Sequence, residues 1–231
     1  MNICSWFKKK KTTTPTKVPS SMKSLKPDGE VCKLIDISHH NGLVDFKVLM
    51  GEDIVGVYAK ATEGLKFSDS MYQKNKAQAI ESGMPFGPYH FYHHNENPLN
   101  QADRFFLVAG VTTLPYCMDW EDTGKLPTPG HKERALLFLE RVEELTGKQP
   151  IIYTGLYYAR DVLALDERFA KYLAWFPDYS GGDACRVVHP WDKWMMWQYT
   201  EHGKTDASAS GGIDLNYFNG DIKKFRETFT L

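Results

Sequence analysis

The sequence predicts an α/β fold: a modified, incomplete (β/α) barrel with a groove at the C-terminal ends of its strands. Short apolar runs alternate with amphipathic helical segments, which is the pattern of a mostly parallel sheet. Polar residues stand where several of these runs end, and a barrel gathers the carboxyl ends of its strands at one mouth. Residues 36–42 follow the first run and are not a glycine-rich phosphate loop, which argues against a nucleotide-binding sheet.

The elements follow from periodicity, capping residues and glycine stops. The apolar runs predict strands at Lys33–Ile37, Ile54–Tyr58, Pro85–Tyr92, Leu114–Glu121, Pro150–Thr154, Tyr172–Phe176, Met195–Tyr199 and Gly211–Asn216. Helices are expected at Asp69–Gly83, with Asp69 as the N-cap, and at Pro98–Gly110, His131–Thr146, Leu156–Leu163 and Asp221–Phe229. The 231 residues and 42% hydrophobic content suit one large domain with a substantial core.

Residues 1–30 are predicted to be a basic, flexible tail or linker, and residues 31–231 the folded domain. The first 30 residues carry seven lysines against Asp28 and Glu30, and residues 12–21 are rich in Pro, Thr and Ser. Such a segment buries too little apolar surface to offset its ordering entropy. We expect a solvated tether; a sharper hypothesis is attachment to an anionic surface such as a bacterial envelope. The remaining 21 basic and 27 acidic side chains give a net charge of −6, so no nucleic-acid groove is expected.

The chain contains no stretch near the ~20 apolar residues of a membrane span. Its first seven residues are too short and too polar for the apolar region of a signal peptide, so the export route stays open. The four cysteines, Cys4, Cys32, Cys117 and Cys185, form no CxxC pair. A chain with this much core does not need disulfides, so free thiols are favoured.

The segment Asp119-Trp120-Glu121 closes an apolar run and is the strongest indication of chemistry. In a strand, residues i and i+2 share a face, so Asp119 and Glu121 should project together, with Trp120 on the other side. Their Cα atoms would lie roughly 6.5 Å apart, and one carboxyl pKa should then be raised. One protonated carboxyl beside one charged carboxyl is what cleavage of a glycosidic bond requires. The alternative is a solvated Asp and Glu at a strand end.

Two further patterns surround this pair. In Tyr89-His90-Phe91-Tyr92, alternate side chains should face the barrel interior and the helices. Asp214 and Asn216 share one face near the end of a predicted strand, which repeats the i, i+2 arrangement.

The histidines invite a metal interpretation. They are His39, His40, His90, His93 and His94. No HExxH or similar spacing is present, so we expect no metal and no cofactor; the imidazoles should line or border a polar cleft.

Seven motifs in order resemble glycoside hydrolase family 25, whose members are N,O-diacetylmuramidases, or lysozymes. The motifs are Asp36-Ile-Ser, Lys60-Ala-Thr-Glu-Gly64, Gly87-Pro-Tyr-His-Phe91, Asp119-Trp-Glu121, Pro150-Ile-Ile-Tyr153, Trp197-Gln-Tyr199 and Ile213-Asp-Leu-Asn216. The resemblance covers about Lys33 to Leu231. The segment His39-His-Asn41 departs from it, because relatives often carry an aromatic or Gln-rich stretch there.

The resemblance implies a TIM-barrel-like fold and an acidic groove. It implies that Glu121 is the proton donor and Asp119 its assisting carboxylate, with Asp36 and Asp214 as further catalytic acids. The substrate-binding candidates are Lys60, Glu63, Tyr89, Tyr153, Gln198 and Asn216.

The expected function is therefore that of a lysozyme. It would hydrolyse the β-1,4 bond between N-acetylmuramic acid and N-acetylglucosamine, by a retaining, substrate-assisted route. Its partner would be the glycan strands of bacterial peptidoglycan, met at the cell wall by a monomer without stable membrane insertion. A chitinase-like hydrolase and a catalytically silent wall-binding module are the alternatives.

Overall fold

A computed structural model describes residues 22–121, 126–208 and 212–231. Its strands are β1 (Lys23–Leu25), β2 (Cys32–Ile37), β3 (Ile54–Glu63), β4 (Phe67–Ser68), β5 (Phe86–Phe91), β6 (Cys117–Asp119), β7 (Ile151–Tyr153), β8 (Leu173–Pro177), β9 (Cys185–Val187), β10 (Met196–Gly203) and β11 (Ile213–Phe218). Its α-helices are α1 (Phe46–Gly51), α2 (Tyr72–Ser82), α3 (Pro98–Ala109), α4 (His131–Thr146) and α5 (Ile222–Phe229). A π-helical turn covers Tyr158–Val162, and 3-10 turns cover His39–Asn41 and Glu167–Phe169.

Eight strands close into a barrel in the order β2-β11-β10-β8-β7-β6-β5-β3, because β3 also pairs with β2. Seven of them run parallel, and β11 is antiparallel to both of its neighbours. The predicted α/β barrel is confirmed. The expected direction of the last strand is wrong: Asp214 and Asn216 lie near the start of β11. Since β11 runs in reverse, its start is nevertheless at the mouth where the other strands end.

The long helices lie close to their predicted positions. Helix α4 matches its prediction at both ends, and Asp221 caps α5 by accepting a hydrogen bond from the Lys224 amide. Asp69 does not cap α2: the helix begins at Tyr72, and Asp69 accepts from the Met71 amide in the preceding turn. Helix α1 and strands β1, β4 and β9 were not predicted, because elements of two to six residues carry too little periodicity.

The core forms two layers, one inside the barrel and one between barrel and helices. Cys117, Tyr58 and Trp175 fill the interior, whereas Phe105 and Phe138 are fully buried between α3, α4 and the strands. Truncating either phenylalanine to alanine would cost about 3–5 kcal/mol.

The alternation along β5 and β6 holds. Tyr92 and Trp120 are fully buried in the outer layer, with ring centroids 5.7 Å apart. Tyr89 packs against the interior cluster. This phase turns the side chains of Tyr89 and Asp119 toward the barrel mouth.

The described part of the predicted tail is packed on the barrel. Strand β1 pairs antiparallel with β9, and the Trp194 indole donates to the Leu25 carbonyl at 3.1 Å. The Asp28 amide donates to the Asn219 side chain at 2.8 Å. The tail prediction is therefore wrong for residues 22–30, because three residues of backbone pairing need no apolar pattern; residues 1–21 lie outside the described residues.

The cysteines that the structure describes, Cys32, Cys117 and Cys185, are free and buried, while Cys4 lies outside the described residues. None of the described helices is long and apolar enough to cross a membrane.

Candidate active site

A cavity of about 200 Å³ opens at the mouth of the barrel. Its lining combines five carboxylates with aromatic and amide side chains. The lining residues are Asp36, Tyr89, Cys117, Asp119, Glu121, Tyr153, Trp175, Tyr179, Gln198, Glu201 and Asp214. All four predicted catalytic acids are thus brought together, with three of the predicted substrate-binding residues.

Asp119 and Glu121 are hydrogen-bonded to each other through their side chains. Asp119 is the last residue of β6, and Glu121 follows two residues later, as the i, i+2 spacing predicts. Burial raises the pKa of both carboxyls, and the Glu121 charge raises the pKa of Asp119 further. The pair can therefore keep one proton at pH values where two solvated carboxyls would both be ionised.

A second carboxyl pair stands across the mouth. Asp36 on β2 and Asp214 on β11 are register partners, and their side chains are hydrogen-bonded. Burial, followed by the charge of Asp36, raises the pKa of Asp214 to about 8. Burial also raises the pKa of Asp36, although amide donors offset part of this effect.

An amide network fixes the Asp36 carboxylate. Asn216 and Gln198 donate to its Oδ2 at 2.7 and 3.0 Å. The Gln198 carbonyl oxygen in turn accepts from the hydroxyl of Tyr153 at 2.9 Å and from that of Tyr179. Asp36 thus has one fixed orientation.

Asn216 has a different place from the one predicted for a substrate-binding residue. It is fully buried, and its carbonyl oxygen accepts from the Trp175 indole at 2.8 Å. Asn216 is not among the residues that line the cavity, and both ends of its amide bond to protein, so it supports Asp36.

Lys60 and Glu63 lie beside the cavity at the end of β3. The Lys60 ammonium donates to Glu63 at 2.6 Å and stands 5.0 Å from the Phe91 ring centroid. Its positive charge lowers the pKa of both Asp119 and Glu121, against the larger effect of burial. His93 approaches Glu63 at 3.3 Å on the other side.

The histidines have structural partners. His90 is fully buried, with Nδ1 2.7 Å from the Thr62 hydroxyl and Nε2 3.1 Å from Gln101 Oε1. Burial lowers its pKa to about 3, so the ring is neutral. His39 is 2.7 Å from Asp69.

No group of three or more His, Cys, Asp or Glu side chains within the described ranges could hold a metal ion.

Tyr179 and Glu201 line the cavity and were not among the predicted site residues. Tyr179 lies just beyond β8, and Glu201 lies three residues after Gln198 on β10. A Tyr or Glu near a strand end is common, so neither residue stands out in the sequence. The only available signal was that the neighbouring strands also end in polar residues.

Chemically, the cavity offers a protonated carboxyl beside further acids and aromatic rings. It can donate a proton to an oxygen and stabilise positive charge that develops beside it, and its polar lining suits a hydroxylated ligand.

The comparisons with known proteins agree with this chemistry. Residues 35–207 match the family described as glycosyl hydrolases family 25. The autolytic lysozyme of Clostridium acetobutylicum is 39% identical over 192 residues, covering 82% of this chain and 56% of the relative. Lysozyme M1 of Streptomyces globisporus is 27% identical over 202 residues, covering 82% and 68%. The structure of a family 25 glycosyl hydrolase from Bacillus anthracis superimposes with a TM-score of 0.76 at 25% identity, covering 87% of this chain and 96% of that one. The chain belongs to glycosyl hydrolase family 25 and is a glycoside hydrolase.

Proposed function

We propose that this enzyme is a bacteriolytic lysozyme that cleaves the β-1,4 bond between N-acetylmuramic acid and N-acetylglucosamine in bacterial peptidoglycan. The observation that carries the proposal is the buried, hydrogen-bonded pair Asp119–Glu121 in an open acidic cavity. The lysozymes among its relatives support the substrate.

Glu121 is the proton donor to the leaving oxygen. It is more exposed than Asp119, which leaves its carboxyl accessible from the cavity. Burial raises the pKa of Glu121, so the acid form survives to higher pH than that of a solvated glutamate.

Asp119 assists from beneath by orienting the 2-acetamido group of the substrate, whose oxygen attacks the anomeric carbon. Two carboxyls in hydrogen-bond contact are closer than the ~6.5–9.5 Å that an inverting pair needs to admit a water molecule. This closeness supports retention of configuration. A direct attack by Asp119 would instead leave a covalent glycosyl-enzyme.

Mass spectrometry after quenching with a slow fluorinated sugar separates the two retaining routes. The substrate-assisted route predicts no adduct on the Asp119 peptide and barely any cleavage of a substrate without the acetamido group. An adduct on Asp119 would replace this route by direct nucleophilic attack.

The remaining acids act on the sugar and its charge. Asp36, held by its amide donors, is the charged member of its pair and stabilises the oxocarbenium-like transition state, while Asp214 holds a proton beside it. Tyr89, Tyr153 and Gln198 contact the substrate from the cavity wall.

Lys60 and Glu63 bind the substrate from the β3 side of the mouth, and Asn216 only supports Asp36. The enzyme acts on the cell wall as a monomer and uses no metal.

Two alternative functions differ from a lysozyme in the polymers that they would degrade. A chitinase-like enzyme would degrade N-acetylglucosamine polymers, and a silent binding module would degrade neither polymer. Five carboxylates concentrated in one cavity weigh against the silent module, since buried acids raise one another's pKa at a cost to stability.

The test is a turbidity assay on purified bacterial walls beside an assay on chitin. Wild-type enzyme should clear walls and release little from chitin, while Glu121→Gln should lose about 10²–10⁴-fold of the wall activity. Glu144→Gln, on the exposed face of α4, is the matched control and should retain activity. Near-wild-type clearing by Glu121→Gln would remove the assignment, and faster release from chitin would favour the first alternative.

A further inference from the structure

Two tyrosines stand exposed beside the cavity, on the β7–β8 side of the mouth. Tyr157 is 56% exposed and Tyr179 is 47% exposed, which is unusual for large aromatic side chains in this chain. They follow β7 and β8, which are adjacent parallel strands, so both lie on the same rim. Tyr179 also lines the cavity itself.

One arginine connects the two tyrosines. Arg186 Nη1 donates to the Tyr157 hydroxyl at 3.2 Å, and the guanidinium carbon lies 5.8 Å from the Tyr157 ring centroid. Its Nε and Nη2 donate to both oxygens of Asp178, at 2.9 and 2.7 Å. Asp178 immediately precedes Tyr179, so the same guanidinium holds both the Tyr157 side chain and the backbone that carries Tyr179.

Tyr179 is also connected to the catalytic centre. Its hydroxyl donates to Gln198 Oε1, while Gln198 Nε2 donates to Asp36. The backbone around Asp178 is anchored as well, because the Trp197 indole donates to its carbonyl oxygen at 2.8 Å. The exposed ring of Tyr179 therefore has a defined position relative to the carboxylates.

We propose that Tyr157 and Tyr179 form a sugar-binding platform that extends the groove beyond the cavity, and that Arg186 is its positioning residue. The proposal rests on the proposed function, since it requires a glycan strand in the groove. An exposed phenol ring offers an apolar face to the C–H face of a pyranose and a hydroxyl to the sugar's edge. The ligand class is a neutral N-acetylated sugar unit of the same strand, one position or more away from the cleaved bond.

A purely structural role for the ion pair is the competing explanation. Arg186 neutralises a buried carboxylate, and this would stabilise the fold with or without a ligand. It does not account for the two rings being left half exposed on the rim, where their burial would have contributed stability.

The test compares KM with kcat on long soluble peptidoglycan strands. Tyr157→Ala, Tyr179→Ala and Arg186→Gln should each raise KM, by about 10-fold for Arg186→Gln, which corresponds to about 1.4 kcal/mol. For Tyr157→Ala and Arg186→Gln the value of kcat should stay within about threefold, because contacts remote from the cleaved bond bind ground state and transition state alike. Tyr179→Ala also removes the hydroxyl that donates to Gln198, so only its KM bears on the platform. On the shortest fragments that the enzyme cleaves, the rise in KM should shrink.

Arg168→Gln is the matched control. Arg168 makes the same two-nitrogen contact with Asp166, at 2.8 and 2.9 Å, outside the residues that line the cavity. Its loss should leave KM and kcat unchanged.

Unchanged KM values in the folded platform variants, or a fall in kcat without a change in KM, would overturn the platform. If Arg186→Gln does not fold by circular dichroism, Tyr157→Ala decides, because its side chain is exposed. An inactive wild type on peptidoglycan would overturn the proposed function and the platform with it. An active wild type with unaffected variants overturns the platform alone.

Discussion

Two buried aspartates in this molecule have opposite electrostatic environments. Asp178 is 2% exposed and accepts hydrogen bonds from the Arg186 guanidinium and from the amides of Arg186 and Ser180. Burial alone would raise its pKa, but these donors hold the pKa at about 2. Asp119 is 7% exposed, and its Oδ1 has no hydrogen-bond partner among the described residues. Burial and the Glu121 charge raise the pKa of Asp119 well above its ordinary value.

The difference shows how burial alone fails to distinguish a structural from a catalytic carboxyl. At Asp178 the protein supplies a donor for each oxygen, and the carboxylate serves as an anchor. At Asp119 the protein supplies a second acid, Glu121, in place of donors, so ionising the Asp119 carboxyl costs free energy. Such an arrangement lowers stability and persists where chemistry requires it.

The largest expected effect on activity comes from replacing Asp119, the catalytic one of the two aspartates. Asp119→Asn should reduce wall-lysing activity by about 10²–10⁴-fold, because an amide cannot share a proton with Glu121 as the carboxyl does. Its melting temperature should equal or exceed that of the wild type, since one of two buried acids that disfavour each other's ionisation has been removed. Kinetics and thermal unfolding at pH 7 measure both; a clear loss of stability would mean that Asp119 is an anchor like Asp178.

Replacing Asp178, the structural aspartate, should have the opposite result: stability falls while activity is largely kept. Asp178→Asn leaves Arg186 without its carboxylate and should lower the free energy of unfolding by about 3–5 kcal/mol. The kcat of the folded enzyme should change by no more than a few-fold. Urea unfolding and steady-state kinetics test this, and a fall in kcat comparable to that of Asp119→Asn would break the distinction.

Shortening the chain should have a moderate effect that depends on where the cut falls. Removal of residues 1–21 should change neither activity on soluble fragments nor melting temperature. Removal of residues 1–30 also deletes β1 and its pairing with β9, the strand that carries Arg186, and should lower the melting temperature by roughly 4–8 °C. Equal melting temperatures for the two truncations would show that β1 contributes nothing.

A smaller effect is expected in the pH dependence of stability. Because the folded-state pKa of Asp214 is raised to about 8, the folded protein holds a proton that the unfolded chain releases near pH 4. Stability should therefore fall as pH rises from about 4 to 8. Asp214→Asn should flatten this slope and raise the melting temperature at pH 8 by about 3 °C. A wild-type slope unchanged by the substitution would contradict the raised pKa.

The smallest effect should come from metal removal. Chelation with EDTA should leave lysis unchanged, since proton donation by Glu121 needs no metal. Loss of activity restored by zinc would require a ligand role for histidines such as His39 and His93, which in this structure pair with the carboxylates of Asp69 and Glu63.

The sequence predicted the barrel and the acid cluster because both depend on local patterns. Asp119 and Glu121 share a face through strand periodicity, and Asp36 follows an apolar run that ends at the mouth. The reversed direction of β11 depends on pairing between distant segments, which no local pattern records. Arg186 is the clearest omission: its role arises only when β9 brings it beside Asp178 and Tyr157, and a single arginine in a strand of three residues carries no such signal.

The most direct test is a carbon-13 NMR titration of the aspartate carboxyls, assigned with Asp119→Asn and Asp178→Asn. The Asp178 signal should remain that of a carboxylate down to about pH 2. The Asp119 signal should keep its protonated position well above pH 4, and Glu121→Gln should shift its titration. If both aspartates titrate at or below the ordinary value of about 3.9, Asp119 and Glu121 hold no shared proton at neutral pH and the account of the active site is wrong.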